Sequence, residues 1–315
     1  MKLQNNENLW KSSVNYRDNW KYQFSDYLDF PRVIHFETHS YCNAACVMCP
    51  YAEVSKIYDN GFMDDKLIDK IINECQAFGQ NIEYEFLPYL MNEPSLDKRL
   101  PDIIKKIKRN LPLSAVSIYT NGALCDARFW DSIVNAEPDS IVFSVNSLDE
   151  DEYKRITGRL KLGDFLKNIM YVKEEIIKNG KNIEIIAHVL RMGKDIKELL
   201  QIMQYWKERD IACRTAYVEN RAGDIDIDSL TEDYNFLAPN KCWRVLTQIH
   251  ILYDGRVVLC CGDWHRSVIL GDIKKQSIHD IWNQKEYIAI RKAHRTVCYK
   301  NMPSLCLSCN MIGSK

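Results

Sequence analysis

Between residues 31 and 230 the chain alternates short apolar runs with amphipathic ones, and no other feature restricts the fold as strongly. Strand candidates are 33–37, 82–87, 115–119, 140–145, 183–190 and 212–218. Helical stretches separate them at 64–78, 100–110, 127–135, 162–179 and 196–208. Repetition of strand and helix predicts an α/β fold, a parallel sheet with helices packed outside it. Six units are too few for a closed eight-fold barrel. After residue 230 the repetition stops. Two apolar runs, 249–253 and 256–259, flank Asp254 and Gly255 and predict a β-hairpin with a type I′ turn. A helix over 278–291 and a cysteine-bearing tail follow. Three parts are therefore expected: an extension (1–30) packed on the outside through Trp10, Tyr16, Trp20 and Tyr22, an alternating domain (31–230) and a C-terminal unit (236–315).

Formal charge is −1, so no broad field attracts nucleic acid or an anionic membrane. Lys105, Lys106, Lys108 and Arg109 form a basic run, but Ile103, Ile104 and Ile107 make the opposite stripe, which predicts a solvated helix face. The N-terminal residues lack an apolar signal region, and no apolar run reaches membrane-spanning length, so the chain is expected in the cytoplasm. Twelve cysteines in a reducing compartment then read as metal ligands wherever they cluster. Cys42, Cys46 and Cys49 have the spacing C-x3-C-x2-C directly after the first strand. They offer three thiolates and leave a fourth corner open, whereas an electron-carrying [4Fe–4S] centre or a structural zinc takes four protein ligands. A non-protein ligand on the last iron is implied. Cys75 shares a helical stripe with Leu67, Ile68, Ile71 and Ile72 and is read as core. Cys125 and Cys213 show no ligand-like spacing either.

The run from Tyr41 to Pro50 resembles the signature of the radical S-adenosylmethionine (SAM) superfamily. The resemblance implies a partial (β/α)6, TIM-like barrel with the cysteine run at its C-terminal mouth. It also implies a [4Fe–4S] cluster chelated by the amino and carboxylate groups of SAM, and a one-electron donor such as flavodoxin or ferredoxin. Cleavage of SAM would give a 5′-deoxyadenosyl radical that removes hydrogen from substrate. Met91-Asn-Glu-Pro94 looks like the family's Gly-Gly-Glu-Pro turn, which makes Glu93, with Asn92, the candidate contact for the SAM amino group. Here Met91 and Asn92 replace both glycines. Thr120-Asn-Gly122 closes the third strand as in relatives. By the same resemblance Ser144 and Arg155 would contact the SAM ribose and carboxylate, Leu190 the adenine, and Met48 would stand in for an aromatic beside it.

The C-terminal set Cys242, Cys260, Cys306 and Cys309 resembles the SPASM/twitch extension of radical SAM enzymes. The chain ends soon after Cys309, so the resemblance implies the shorter twitch form, a hairpin-plus-helix unit with one auxiliary [4Fe–4S] cluster. A four-cysteine zinc knuckle is the plainer reading of the same ligands. Cys261 follows a ligand immediately, and strand alternation would point it to the opposite face. In related epimerases such a cysteine returns a hydrogen atom to the substrate. His188 shares strand phase with Leu190 and faces the barrel interior, either as core or as a base. Cys298 is a spare ligand or a bystander.

The leading expectation is dehydrogenation of a small polar substrate, sugar-like or aminocyclitol-like, by abstraction next to a hydroxyl. Three others stand beside it: epimerisation using Cys261, modification of a ribosomal peptide, and a non-catalytic iron–sulfur or zinc protein. The 41 residues before the first cluster cysteine are short for a leader-binding domain, which weighs against the peptide reading.

Overall fold

The computed structural model describes residues 28–124, 126–193, 196–230 and 242–311. Most of the expected extension, Cys125 and nearly all of the expected 230–240 division lie outside the described residues. The alternating region forms β1 (Val33–Phe36), α1 (Tyr51–Val54), α2 (Asp65–Gly79), β2 (Glu85–Leu87), α3 (Leu100–Asn110), β3 (Ala115–Thr120), α4 (Ala127–Ala136) and β4 (Ser140–Ser144). It continues with α5 (Glu150–Thr157), α6 (Leu162–Lys178), β5 (Glu184–Leu190), α7 (Ile196–Lys207) and β6 (Ala212–Ala216). Acidic caps start the helices where the stripes begin: Asp64 accepts from Lys66 N, Asp126 from Phe129 N and Asp149 from Glu152 N. The C-terminal part adds α8 (Trp243–Thr247), β7 (Gln248–Ile251), β8 (Arg256–Val258), β9 (Ile269–Asp272), α9 (Ile278–Asn283), α10 (Lys285–Arg295) and α11 (Ser304–Leu307). The single helix expected over 278–291 is broken at Gln284, whose extended backbone (φ −68°, ψ 155°) caps α10.

One nine-stranded sheet runs β6-β5-β4-β3-β2-β1-β7-β8-β9, parallel from β6 to β7. The sheet therefore passes from the alternating region into the C-terminal part without a break. β7 lies parallel to β1, with Val33 opposite Gln248, Ile34 opposite Ile249 and His35 opposite His250. β1 would otherwise present an open edge, which pairing with β7 closes. The hairpin turn differs from type I′. Gly255 has φ +87°, Asp254 is not among the positive-φ residues, and Gly255 N donates to Leu252 O at 2.9 Å. That is a type I turn closed by a bulged glycine, with Asp254 held by Arg256 through N and Nε at 3.1 and 2.8 Å.

Side-chain alternation sorts the strands into two faces. Ile34, Phe36, Phe86, Val116, Ile118, Ile141, Phe143, Ala187, Val189, Ile249 and Ile251 join the helices in one continuous core. The other face is mixed, with Val33, Leu87, Val142 and Ile186 set among polar side chains. There His35 stacks on His250 (centroids 4.9 Å), Tyr89 stacks on Tyr119 (5.1 Å), and Ser140 Oγ donates to Ser117 Oγ at 3.0 Å. Ser144, His188 and Arg214 continue that row by register.

Glu37, just past β1, ties three segments together: it is 1% exposed and accepts from Met91 N (3.2 Å) and Tyr253 N (3.1 Å). Burial, opposed by these bonds, pushes its carboxyl up to about 7 from 4.5. A carboxyl whose folded value is raised stabilises the protein fully below its unfolded value and loses that contribution as pH climbs through the folded one. Denaturant unfolding of wild type is therefore expected to lose about 3 kcal/mol from this group between pH 4.5 and 7, and Glu37→Gln to remove that part of the slope. Parallel pH profiles would contradict it.

Candidate functional site

The loop after β1 carries Cys42, Cys46 and Cys49 and is pinned on several sides. Ala45 N donates to Thr157 O (3.0 Å) and Val47 N to Ile156 O (2.9 Å), fastening it to the end of α5. Cys49 N donates to Cys46 O at 3.0 Å, and Cys42 N donates to the Tyr51 hydroxyl at 2.7 Å. Burial raises all three thiols, Cys46 to about 12, with Glu93 and the neighbouring thiols adding to the effect at Cys42 and Cys46. Without iron the three are held protonated, and metal binding would displace the protons. Among the described residues no three His, Cys, Asp or Glu side chains converge on a single-ion position. A cubane takes its thiolates through separate irons and needs no such convergence.

Glu93 sits against this loop, 3% exposed, with its own N–H donating to Tyr41 O at 2.9 Å. Its carboxylate accepts from Thr120 Oγ1 (2.6 Å), Ser95 N (3.0 Å) and Asn121 N (2.7 Å). Three of its roughly four lone-pair sites are filled, which leaves one for a ligand. Asn92 receives Leu90 N on Oδ1 at 3.0 Å, while its buried Nδ2 has no hydrogen-bond partner among the described residues. Met91 and Asn92 are absent from the positive-φ residues, so the turn needs no glycine at either position. Met48 is buried in an apolar patch with Ile156, Met192 and Val218, against which Cys46 and Leu190 pack. Ser144 lies on the inner face opposite His188.

Arg155 does not join this group. It is 60% exposed on α5, where Glu152 three residues earlier holds Nε at 2.7 Å and Nη2 at 2.8 Å. His188 faces inward, and burial, then Arg214, lowers it to about 4, so its imidazole is neutral at neutral pH.

Cys242, Cys260, Cys306 and Cys309 line one cavity together with Glu219, Arg221, Ala222, Arg244, Gly262 and Leu305. Gly262 N donates to Cys260 Sγ at 3.3 Å, as backbone amides do towards a thiolate. β8 ends at Val258, so Cys260 and Cys261 occupy the turn beyond it and strand alternation does not orient them. Their surroundings still separate them: Cys261 packs with Cys49 against Val54, Leu90, Met91 and Trp264. Cys75 is core as expected, and Cys213 packs against the same core. Sequence reasoning missed Glu219, Arg221 and Arg244, because isolated charges carry no spacing signal.

Residues 36–205 match the family model of the radical SAM superfamily, more than half of the chain. The chain belongs to the radical SAM superfamily. Residues 242–310 match the SPASM iron–sulfur cluster-binding domain. A radical SAM enzyme of this composition carries a [4Fe–4S] cluster, uses SAM and has auxiliary iron–sulfur binding in its SPASM domain. Among curated proteins it is similar to the SAM-dependent 2-deoxy-scyllo-inosamine dehydrogenase of Niallia circulans, 21% identical over 89% of this chain and 93% of the relative. The fold is similar to that of BtrN crystallised with AdoMet and 2-DOIA (TM-score 0.59, 19% identity, 89% of this chain and 92% of that one). It is also similar to SuiB of Streptococcus suis bound to precursor peptide SuiA (TM-score 0.66, 16% identity, 98% and 74%).

Gly158 ends α5 at φ +77°, and a Cβ there would lie 2.6 Å from Ala45 O in the cysteine loop of this radical SAM enzyme. Gly158→Ala is expected to cost at least ~1–2 kcal/mol through the left-handed backbone alone. It should also lower iron retention at Cys42, Cys46 and Cys49. Wild-type stability and iron content in that variant would contradict the role.

Proposed function

We propose that this chain is a radical SAM oxidoreductase that converts a hydroxyl-bearing carbon of a small polar substrate to a ketone. The closed four-thiol cavity carries this reading. Oxidation of an alcohol carbon removes a hydrogen atom, a proton and a second electron, and an enclosed four-thiolate cluster is suited to receiving that electron. Whole-length similarity to a SAM-dependent aminocyclitol dehydrogenase supports it.

Cys42, Cys46 and Cys49 would hold the first cluster, and Cys242, Cys260, Cys306 and Cys309 one auxiliary [4Fe–4S] cluster. When bound, the first cluster with SAM supplies the 5′-deoxyadenosyl radical. Glu93 has one acceptor site left for the SAM amino group, and Asn92 has an unspent amide donor nearby. Met48 and Leu190 offer an apolar seat for adenine, and Ser144 a hydroxyl at the same strand ends. Beside Arg155, which pairs with Glu152, a second cation is available for the SAM carboxylate. Arg159 is a candidate, since it acts electrostatically on Tyr51, whose hydroxyl holds Cys42. The inner face, with the His35–His250 stack, Tyr119, Ser144 and neutral His188, suits a substrate of several hydroxyls or amines. A flavodoxin or ferredoxin is the proposed reductant.

A second reading, epimerisation, draws on Cys261. That thiol shares its apolar patch with Cys49 and does not line the four-thiol cavity. Such a thiol is free to hand a hydrogen atom to a substrate radical. Turnover in heavy water separates the two. Oxidation predicts ketone, 5′-deoxyadenosine in equal amount and no solvent deuterium on carbon, with Cys261→Ala still active. Deuterated product that disappears in Cys261→Ala would replace oxidation with epimerisation.

A further inference from the structure

Three charged side chains form part of the wall of the four-thiol cavity. Arg244 on α8 grips Glu219 with both terminal nitrogens, Nη1 at 2.8 Å from Oε2 and Nη2 on Oε1. Arg221 Nη1 also donates to Glu219 Oε2, at 3.3 Å. The trio carries one net positive charge. Arg221 interacts electrostatically with Cys49 and Cys261, and Arg244 with Cys261 and Cys242. At Cys49 the cation felt is Arg221.

The backbone goes out of its way to place Arg221. Arg221, Ala222 and Gly223 are consecutively left-handed, at φ 50°, 61° and 103°. Two of the three are not glycine, so the conformation persists only because its surroundings enforce it. The enforcement is visible. Asn220 N donates to Asn310 Oδ1 and Asn310 N to Asn220 Oδ1, both at 3.0 Å, and Asn220 Nδ2 donates to Ser308 O at 2.7 Å. The strained loop is thereby strapped to the segment that bears Cys306 and Cys309. Arg221 Nε is nonetheless buried without a hydrogen-bond partner among the described residues.

Ion pairs that are partly solvated, as these are, contribute little stability. A local function explains the arrangement better. Four thiolates make a cluster anionic, and its potential depends on nearby charge and hydrogen bonding. We propose that Arg244, Glu219 and Arg221 set the reduction potential of the auxiliary cluster. This rests on the reading that the four-thiol cavity holds a cluster.

The test is an EPR-monitored redox titration of anaerobically reconstituted full-length protein. Arg244→Met is expected to lower the auxiliary potential by at least tenfold in the one-electron equilibrium, about 59 mV, leaving the first cluster unmoved. Arg221→Met should also lower the auxiliary potential, Glu219→Gln should raise it, and Arg244→Lys should restore most of the loss. Loss of packing alone would not give opposite signs at Glu219 and Arg244. If Arg244→Met fails to load, Glu219→Gln, which keeps both guanidiniums, decides. About eight irons per chain with potentials unchanged, or lowered in Glu219→Gln, would overturn the proposal. About four irons in wild type would instead overturn the reading beneath it.

Discussion

β1 ends in the loop that carries Cys42, Cys46 and Cys49, and its outer edge is closed by β7, paired in parallel from Val33–Gln248 to Phe36–Ile251. The same β7 begins the hairpin that leads to Cys260 and follows the helix begun at Cys242. One strand pairing thus fixes the first thiol set relative to the second. Glu37 reinforces the junction by accepting backbone bonds from Met91 and Tyr253 at once. The two thiol sets are built on a single sheet, and their separation is a property of strand register.

Glu219, Arg221 and Arg244 line the cavity of the second set. Their placement depends on the strap from Asn220 to Asn310, which folds the C-terminal tail against the loop following β6. Glu93 is tied to Thr120 and Asn121 beside the first thiol set.

Much of this was legible in the sequence. The six parallel strands were found because their outward rows are apolar and each helix opens on a stripe, often after an acidic cap. The cysteine sets stood out because clustered, closely spaced thiols read as metal ligands. What was not legible depended on distant partners. Nothing local marks β7 as the neighbour of β1, more than 200 residues earlier. Asp254-Gly255 serves more than one turn, and the choice fell to the bulge at Gly255. Arg155 pairs with Glu152 on its own helix, a local contact that family spacing does not reveal. Glu219, Arg221 and Arg244 were invisible because a charge in a sequence does not say what it is buried against.

The central claim is that one polypeptide houses two independently ligated iron–sulfur sites. Iron analysis with Mössbauer spectroscopy on anaerobically reconstituted Cys42→Ala/Cys46→Ala/Cys49→Ala protein tests it most directly. The account predicts that about four irons remain, as one [4Fe–4S] centre with four thiolate ligands. An iron-free triple variant, or one that binds as much iron as wild type, would contradict it.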